Sequence, residues 1–135
     1  MRLDHIAIVV EDITNAINVY HTAMGLPLRK TEDVPAENVT VAFLPLGDGS
    51  EIELIQPTAP DTGVSKFLAK CGEGIHHICI EVENIEQAMA DYAAKGLRII
   101  EDEPRMGSEG QKYVFVHPKS THGVLIELYE KPTHE

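Results

Sequence analysis

Hydrophobic and polar positions alternate from residue 5 to residue 10, with Ile6, Ile8 and Val10 on one side and His5, Ala7 and Val9 on the other. That two-residue period predicts a strand. The period then lengthens. Asp12 is a good helix cap, and Ala16, Ile17, Tyr20 and Met24 recur at helical spacing until Gly25, which closes the predicted helix. Strand-like stretches follow at 39–46 and 51–55, separated by the hairpin signal Gly-Asp-Gly-Ser. The plan then repeats. Residues 77–82 alternate with Ile78, Ile80 and Val82 on one face, Asn84 is a cap, Ala88, Met89 and Tyr92 share a helical face, and Gly96 ends it. Further strands are expected at 98–101, 112–116 and 124–129, with a turn at 117–123. Each half reads β-α-β-β-β.

The repetition extends to residue identity. The segments HIAIVVEDITNAINVY, from His5, and HICIEVENIEQAMADY, from His77, align without a gap at an offset of 72, and eight of the sixteen positions are identical. Chance rarely produces such a match over a strand and its following helix, so the chain is read as an internal duplication. The expected fold class is α+β, with two tandem βαβββ modules at 1–57 and 74–131 forming a curved mixed-sheet cup, and the whole chain, 1–135, is read as one domain. Residues 58–73 are the linker; Pro57 and Pro60 interrupt the strand pattern there, and 64–69 carry a short helical one.

Composition narrows the possible partners. A formal net charge of −11 lacks the basic face that nucleic acid or an anionic membrane would require. No apolar run is long enough to span a bilayer, and MRLDHIAIVV enters a strand without signal-peptide architecture, so a cytoplasmic enzyme is expected. Cys71 and Cys79 have no metal-binding spacing and read as ordinary thiols.

Strand parity then points to chemistry. Within the echo Ile-Glu-Leu, Glu53 opposes Ile52 and Leu54, and Glu127 opposes Ile126 and Leu128. If the aliphatic stripes pack under the helices, His5, Glu53, His77 and Glu127 all project from the other face. Two imidazoles and two carboxylates suit one divalent ion such as Co, Ni, Zn or Mn and leave coordination positions open for substrate. Taken one at a time, each is better explained as a satisfied sheet histidine or a solvated glutamate. A His and a Glu kept in both copies favour the metal. His76 takes the opposite side of its strand from His77, where packing or a supporting hydrogen bond is expected. Arg105, Lys112 and Lys119 form the densest positive cluster near the last turn and would suit a phosphate-bearing substrate.

The duplicated pattern with His, Glu, His and Glu resembles the vicinal oxygen chelate, or glyoxalase-like, superfamily over nearly the whole chain. Within it, LDHIAIVV, VAFLPLGDGSEIELIQPT, KFLAKCGEGIHHICIEV and HPKSTHGVLIEL are similar to the methylmalonyl-CoA epimerase family. Glyoxalase I more often has an Asp-Pro-Asp-Gly type of turn in place of the His-Pro-Lys-Ser segment. The resemblance implies His5, Glu53, His77 and Glu127 as ligands of one divalent metal ion, cobalt first among the candidates. It also implies an acyl-CoA substrate contacted by Arg105, Lys112, Lys119 and Ser120, a homodimer, and a role in propionate or branched-chain metabolism.

The implied reaction interconverts (R)- and (S)-methylmalonyl-CoA: the α-proton leaves, metal coordination stabilises the enolate, and a proton returns to the opposite face. Glu127 is the candidate for one base. The second is where the sequence departs from its relatives, some of which carry a Glu where Val41 stands here; Glu37, just upstream, is the substitute to test. Two other functions remain in view. One is a glyoxalase I-type lactoylglutathione lyase with the same ligands, and the other is a metal-free protein that sequesters a small molecule such as a drug. A ring-cleaving dioxygenase fits less well, because its two-His, one-carboxylate iron site would leave Glu53 spare.

Overall fold

The computed structural model describes residues 1–107 and 109–132 and divides the chain into two compact units, His5–His76 and, with Met1–Asp4, His77–Glu135. In the first, β1 (Arg2–Val9), β2 (Lys30–Val34), β3 (Val39–Pro45) and β4 (Glu51–Pro57) lie in the order β2-β3-β4-β1. The second orders β5 (Gly74–Glu81), β6 (Arg105–Met106), β7 (Lys112–Val116) and β8 (Ile126–Glu130) as β5-β8-β7-β6. In both, the opening strand pairs parallel with the last, and the remaining pairs are antiparallel. The crossover through a helix makes this parallel pair possible.

The helices start as their caps dictate. The Asp12 side chain accepts from the Asn15 amide at 3.0 Å ahead of α1 (Ile13–Ile17), and the Asn84 side chain accepts from the Gln87 amide at 2.9 Å ahead of α3 (Ile85–Ala94). A second first-turn amide is satisfied from the far strand in each unit: Ile13 N–H donates to Gln56 Oε1 at 2.8 Å and Ile85 N–H to Glu130 Oε1 at 2.9 Å. Each helix covers its sheet through one apolar cluster. In the first unit this joins Ile8, Val10, Ile13, Tyr20, Leu44 and Leu54; in the second, Ile80, Val82, Ile85, Tyr92, Val114 and Leu128. The aliphatic stripes therefore lie beneath the helices, which turns the odd-numbered residues of β1 and β5 to the other face.

At the end of the helix that follows the opening strand, the copies differ by one residue, and the backbone absorbs it. Four residues separate Tyr20 from Gly25, but only three separate Tyr92 from Gly96. In the first copy the helix widens into a π-helix over Asn18–Ala23, with Met24 N–H bonded to Val19 O at 2.9 Å. Such a widening is how an insertion is accommodated without rotating the residues around it. Leu26 N–H still reaches Tyr20 O at 3.1 Å, as Leu97 N–H reaches Tyr92 O at 2.9 Å, and both leucines pack on their clusters.

Two strand expectations need correcting. No strand was foreseen at Lys30–Val34, because this edge strand keeps four of its five residues exposed and shows no hydrophobic alternation. Conversely, 98–101 forms a single bridge, Ile99 to Val116, and the outer strand is instead Arg105–Met106. The Glu101 carboxylate accepts the Phe115 amide at 2.9 Å, so a side chain takes the donor that a longer ladder would have used. The linker is ordered: α2 (Gly63–Cys71) is held by a Thr62–Ser65 capping box, and Val64 packs on the cluster of Ala7, Val39, Val41 and Ile55.

Candidate metal centre

Register explains how each histidine meets its carboxylate. In the parallel pair β1·β4, Ala7 lies opposite Glu53, so His5, two residues earlier, shares that face and reaches Glu53 diagonally. The contact is His5 Nδ1 to Glu53 Oε2, 3.0 Å. In β5·β8, Cys79 lies opposite Glu127 and His77 is again two residues earlier; His77 Nε2 stands 3.0 Å from Glu127 Oε1. Each unit thus builds the same His–carboxylate pair on the face away from its helix.

Both imidazoles are buried, at 7 % exposure each, and both carboxylates are half-buried. Next to the first pair lie Ala7, Val41, Ile55 and Phe43, which shield it with apolar surface. In each pair the ring and the carboxylate can share one hydrogen bond, and both offer lone pairs to a cation when the facing ring nitrogen carries no proton. The nitrogen and oxygen donors suit a borderline or hard divalent cation.

An aromatic residue stands beside each carboxylate, a feature the sequence reading missed. Phe43 pairs with Glu53 and Phe115 with Glu127. The two phenylalanines obey the same offset of 72 as the histidines, so extending the alignment into β3 and β7 would have found them. The Phe115 ring meets His77 edge-on at 5.7 Å and Tyr113 edge-on at 6.2 Å, and the Arg105 guanidinium lies 5.3 Å from the centre of the Tyr113 ring. Arg29 covers Phe43 in the first unit, 4.7 Å from its centroid, while bonded to Glu51.

The remaining candidates are dispersed. Glu37 is exposed in the β2–β3 turn, whereas Glu53 lies opposite Phe43, four residues into β3 from Val39 or about 13 Å along the strand. The structure does not bring Glu37 to the first pair. Val41 is buried on the face that carries Glu53.

The cationic cluster expected near the last turn does not assemble. Lys112 shares the helix-facing side of β7 with Val114 and Val116; its Nζ binds Glu86 at 2.7 Å and lies 3.9 Å from Glu130. This pairing holds the Glu86 carboxyl below and the Lys112 ammonium above their ordinary values, chiefly through their shared hydrogen bond. Lys119 and Ser120 lie beyond the opposite end of β7, in a 3-10 turn capped by the His117 ring. Ser120 Oγ accepts the Arg98 amide at 2.9 Å. Arg105, paired with Tyr113, is the one of the four on the face of Glu127.

His76 packs edge-on against Phe67 at 5.0 Å, as its parity suggested. Tyr129 shares the face of Glu127, and its phenol is pushed up first by burial and then by the negative charges of Asp4, Cys79, Glu81 and Glu109. A cleft of about 470 Å³, lined by Ile8, Val10, Asp12, Asn15, Val19 and Tyr20, lies on the helix side of the first unit, away from the His5–Glu53 pair. Among the described residues, no helix is long and apolar enough to cross a membrane.

Residues 4–115 match the family model of the glyoxalase/bleomycin resistance protein/dioxygenase superfamily. The chain belongs to this superfamily and has its fold, as the duplicated modules led one to expect. Relatives within it include methylmalonyl-CoA epimerases. The chain is 38% identical over 128 residues to the mitochondrial methylmalonyl-CoA epimerase of Mus musculus, covering 94% of this chain and 71% of that protein. It is also 38% identical over 129 residues to the ethylmalonyl-CoA/methylmalonyl-CoA epimerase of Cereibacter sphaeroides, covering 94% and 96%. A variant of Streptomyces coelicolor methylmalonyl-CoA epimerase, solved in complex with 2-nitronate-propionyl-CoA, superimposes with a TM-score of 0.87 at 38% identity, covering 98% of this chain and 99% of that one.

Proposed function

We propose that this chain interconverts (R)- and (S)-methylmalonyl-CoA, with both modules serving as one catalytic domain. The observation that carries the reading is the repeated His–carboxylate pair, closed to 3.0 Å in each unit of a chain that is 38% identical to epimerases of this substrate. His5, Glu53, His77 and Glu127 would together hold one divalent ion per subunit, cobalt first and Ni, Zn or Mn next. When bound, such an ion supplies Lewis acidity to the carboxylate and thioester oxygens of the substrate and makes the carbon between them more acidic.

The side chains then divide the labour. Glu127 takes the α-proton: the C–H bond breaks, its electron pair moves into the thioester as an enolate, and a carboxyl O–H forms. Phe115 fixes the His77 ring and covers the flank of Glu127, while Val41, Ile55 and Phe43 keep the first pair dry. Water exclusion strengthens each charge interaction that grows as the enolate develops. Arg105 and the Lys119–Ser120 turn meet the phosphates of CoA; Lys112 stays with Glu86. The reading includes a homodimer acting in the cytoplasm on propionate-derived or branched-chain-derived acyl-CoA.

The test is to incubate metal-loaded protein with a single epimer in deuterated water and follow the α-carbon. Washout of the proton together with racemisation is expected. An α-proton that stays in place removes the proposal, and activity on methylglyoxal plus glutathione in its stead would select the lyase.

A further inference from the structure

Inverting a stereocentre takes two proton-transfer groups, one on each side of the enolate plane, and Glu127 provides only one. Val41 cannot carry a proton, and Glu37 stands at the far end of its hairpin. The duplication points to another position. The offset that relates His5 to His77 and Phe43 to Phe115 also relates Val41 to Tyr113. We propose that Tyr113, which stands in the second copy where Val41 stands in the first, is the second proton-transfer group. The assignment rests on the epimerase reading above.

Geometry within the second unit suits the role. Tyr113 shares the face of Glu127, because Phe115 lies directly across from Glu127 and Tyr113 is two residues further along β7. Residues on such a diagonal are about 7–8 Å apart. Two groups that approach one carbon from opposite sides, each within about 3 Å, need to be about 6 Å apart, and side-chain tilt covers the difference. Phe115 packs edge-on against the Tyr113 ring, which limits its swing. The Arg105 guanidinium over that ring favours the phenolate left when the proton departs. Of the other groups on this face, Glu81 is tied to Arg2 at 3.4 Å and to Lys131 at 3.3 Å, and Tyr129 lies opposite Tyr113 on β8.

The step balances. Glu127 accepts the α-proton as the enolate forms, and the Tyr113 O–H bond breaks as its proton forms the new C–H bond on the other side. Phenolate and carboxylic acid remain, and a proton passed from one to the other through solvent resets the site. In the reverse direction the phenolate is the base and the Glu127 carboxylic acid the donor.

The experiment is Tyr113→Phe in deuterated water, starting from each epimer separately. Inversion should fall by at least about 100-fold, the usual worth of one acid–base group. One epimer should nevertheless still exchange its α-proton with retention, since Glu127 can return deuterium to the side it came from. Arg105→Gln, which keeps the phenol but also loses a CoA contact, should slow inversion about tenfold when measured at saturating acyl-CoA. Metal content and melting temperature should match the parent protein in both variants. Inversion by Tyr113→Phe within threefold of the parent overturns the assignment while leaving the epimerase reading intact. Equal loss of exchange and inversion for both epimers, in a variant that melts and binds metal normally, overturns it too. A parent protein that neither exchanges nor inverts overturns the epimerase reading itself.

Discussion

Phe115 lies directly across the β7·β8 pair from Glu127, with its ring edge-on to His77 at 5.7 Å. It is the residue through which the packing of the second unit holds the candidate ligands in place. Phe43 stands in the same relation to Glu53. Phe115→Ala is therefore expected to loosen His77 as well as destabilise the unit, by about 2–3 kcal/mol for a half-buried ring. Urea unfolding measures the cost, and a metal dissociation constant weakened about tenfold would register the loss of orientation.

Removing a ligand should act differently from removing its support. His5→Ala and Glu127→Ala are each expected to abolish tight metal binding, whereas His76→Ala, which loses its packing on Phe67, should keep full stoichiometry. Elemental analysis after gel filtration separates them. A full complement of metal in Glu127→Ala would remove that residue from the ligand set.

The Lys112–Glu86 pair sets a pH expectation. Glu86 titrates below its unfolded value, so its contribution is present at neutral pH and lost as pH falls through the folded value; Lys112 titrates above its own, so its contribution is lost as pH rises through the folded one. Lys112→Gln should accordingly melt slightly lower than the parent at neutral pH, with the gap closing at both extremes and in high salt. Its KM for acyl-CoA should stay within twofold of the parent value. Lys119→Ala, by contrast, should raise KM about tenfold if a charge-assisted phosphate bond is lost.

The caps give an independent check on the fold. Asp12→Ala and Asn84→Ala should each cost about 1 kcal/mol, because each leaves a first-turn amide without its acceptor. The two losses should add in the double variant, since each cap serves its own unit. Chemical denaturation curves of the singles and the double test both statements.

Much was legible from local pattern alone. The alternation at His5 and His77 told which side chains share a face, and the repeated Ile-Glu-Leu told where the acids fall, because a strand's period is fixed by its backbone. The caps Asp12 and Asn84 were legible for a similar reason, since short polar side chains bond amides only two or three residues away. What escaped depends on partners distant in sequence. Lys30–Val34 is a strand because β3 offers its edge, while its own residues are polar and exposed. The stretch 98–101 stops at one bridge because Glu101 takes the Phe115 amide. Lys112, counted with Arg105 and Lys119 in sequence, belongs to the helix side because β7 alternates and Glu86 waits there. Sequence by itself determined the duplication, the facing of the two histidines and the identity of their acidic partners. Only tertiary structure decided the 3.0 Å closures, the edge-on packing of Phe115 on His77 and the pairing of Tyr113 with Arg105, because strand register and side-chain packing are settled between segments that the linear order keeps apart.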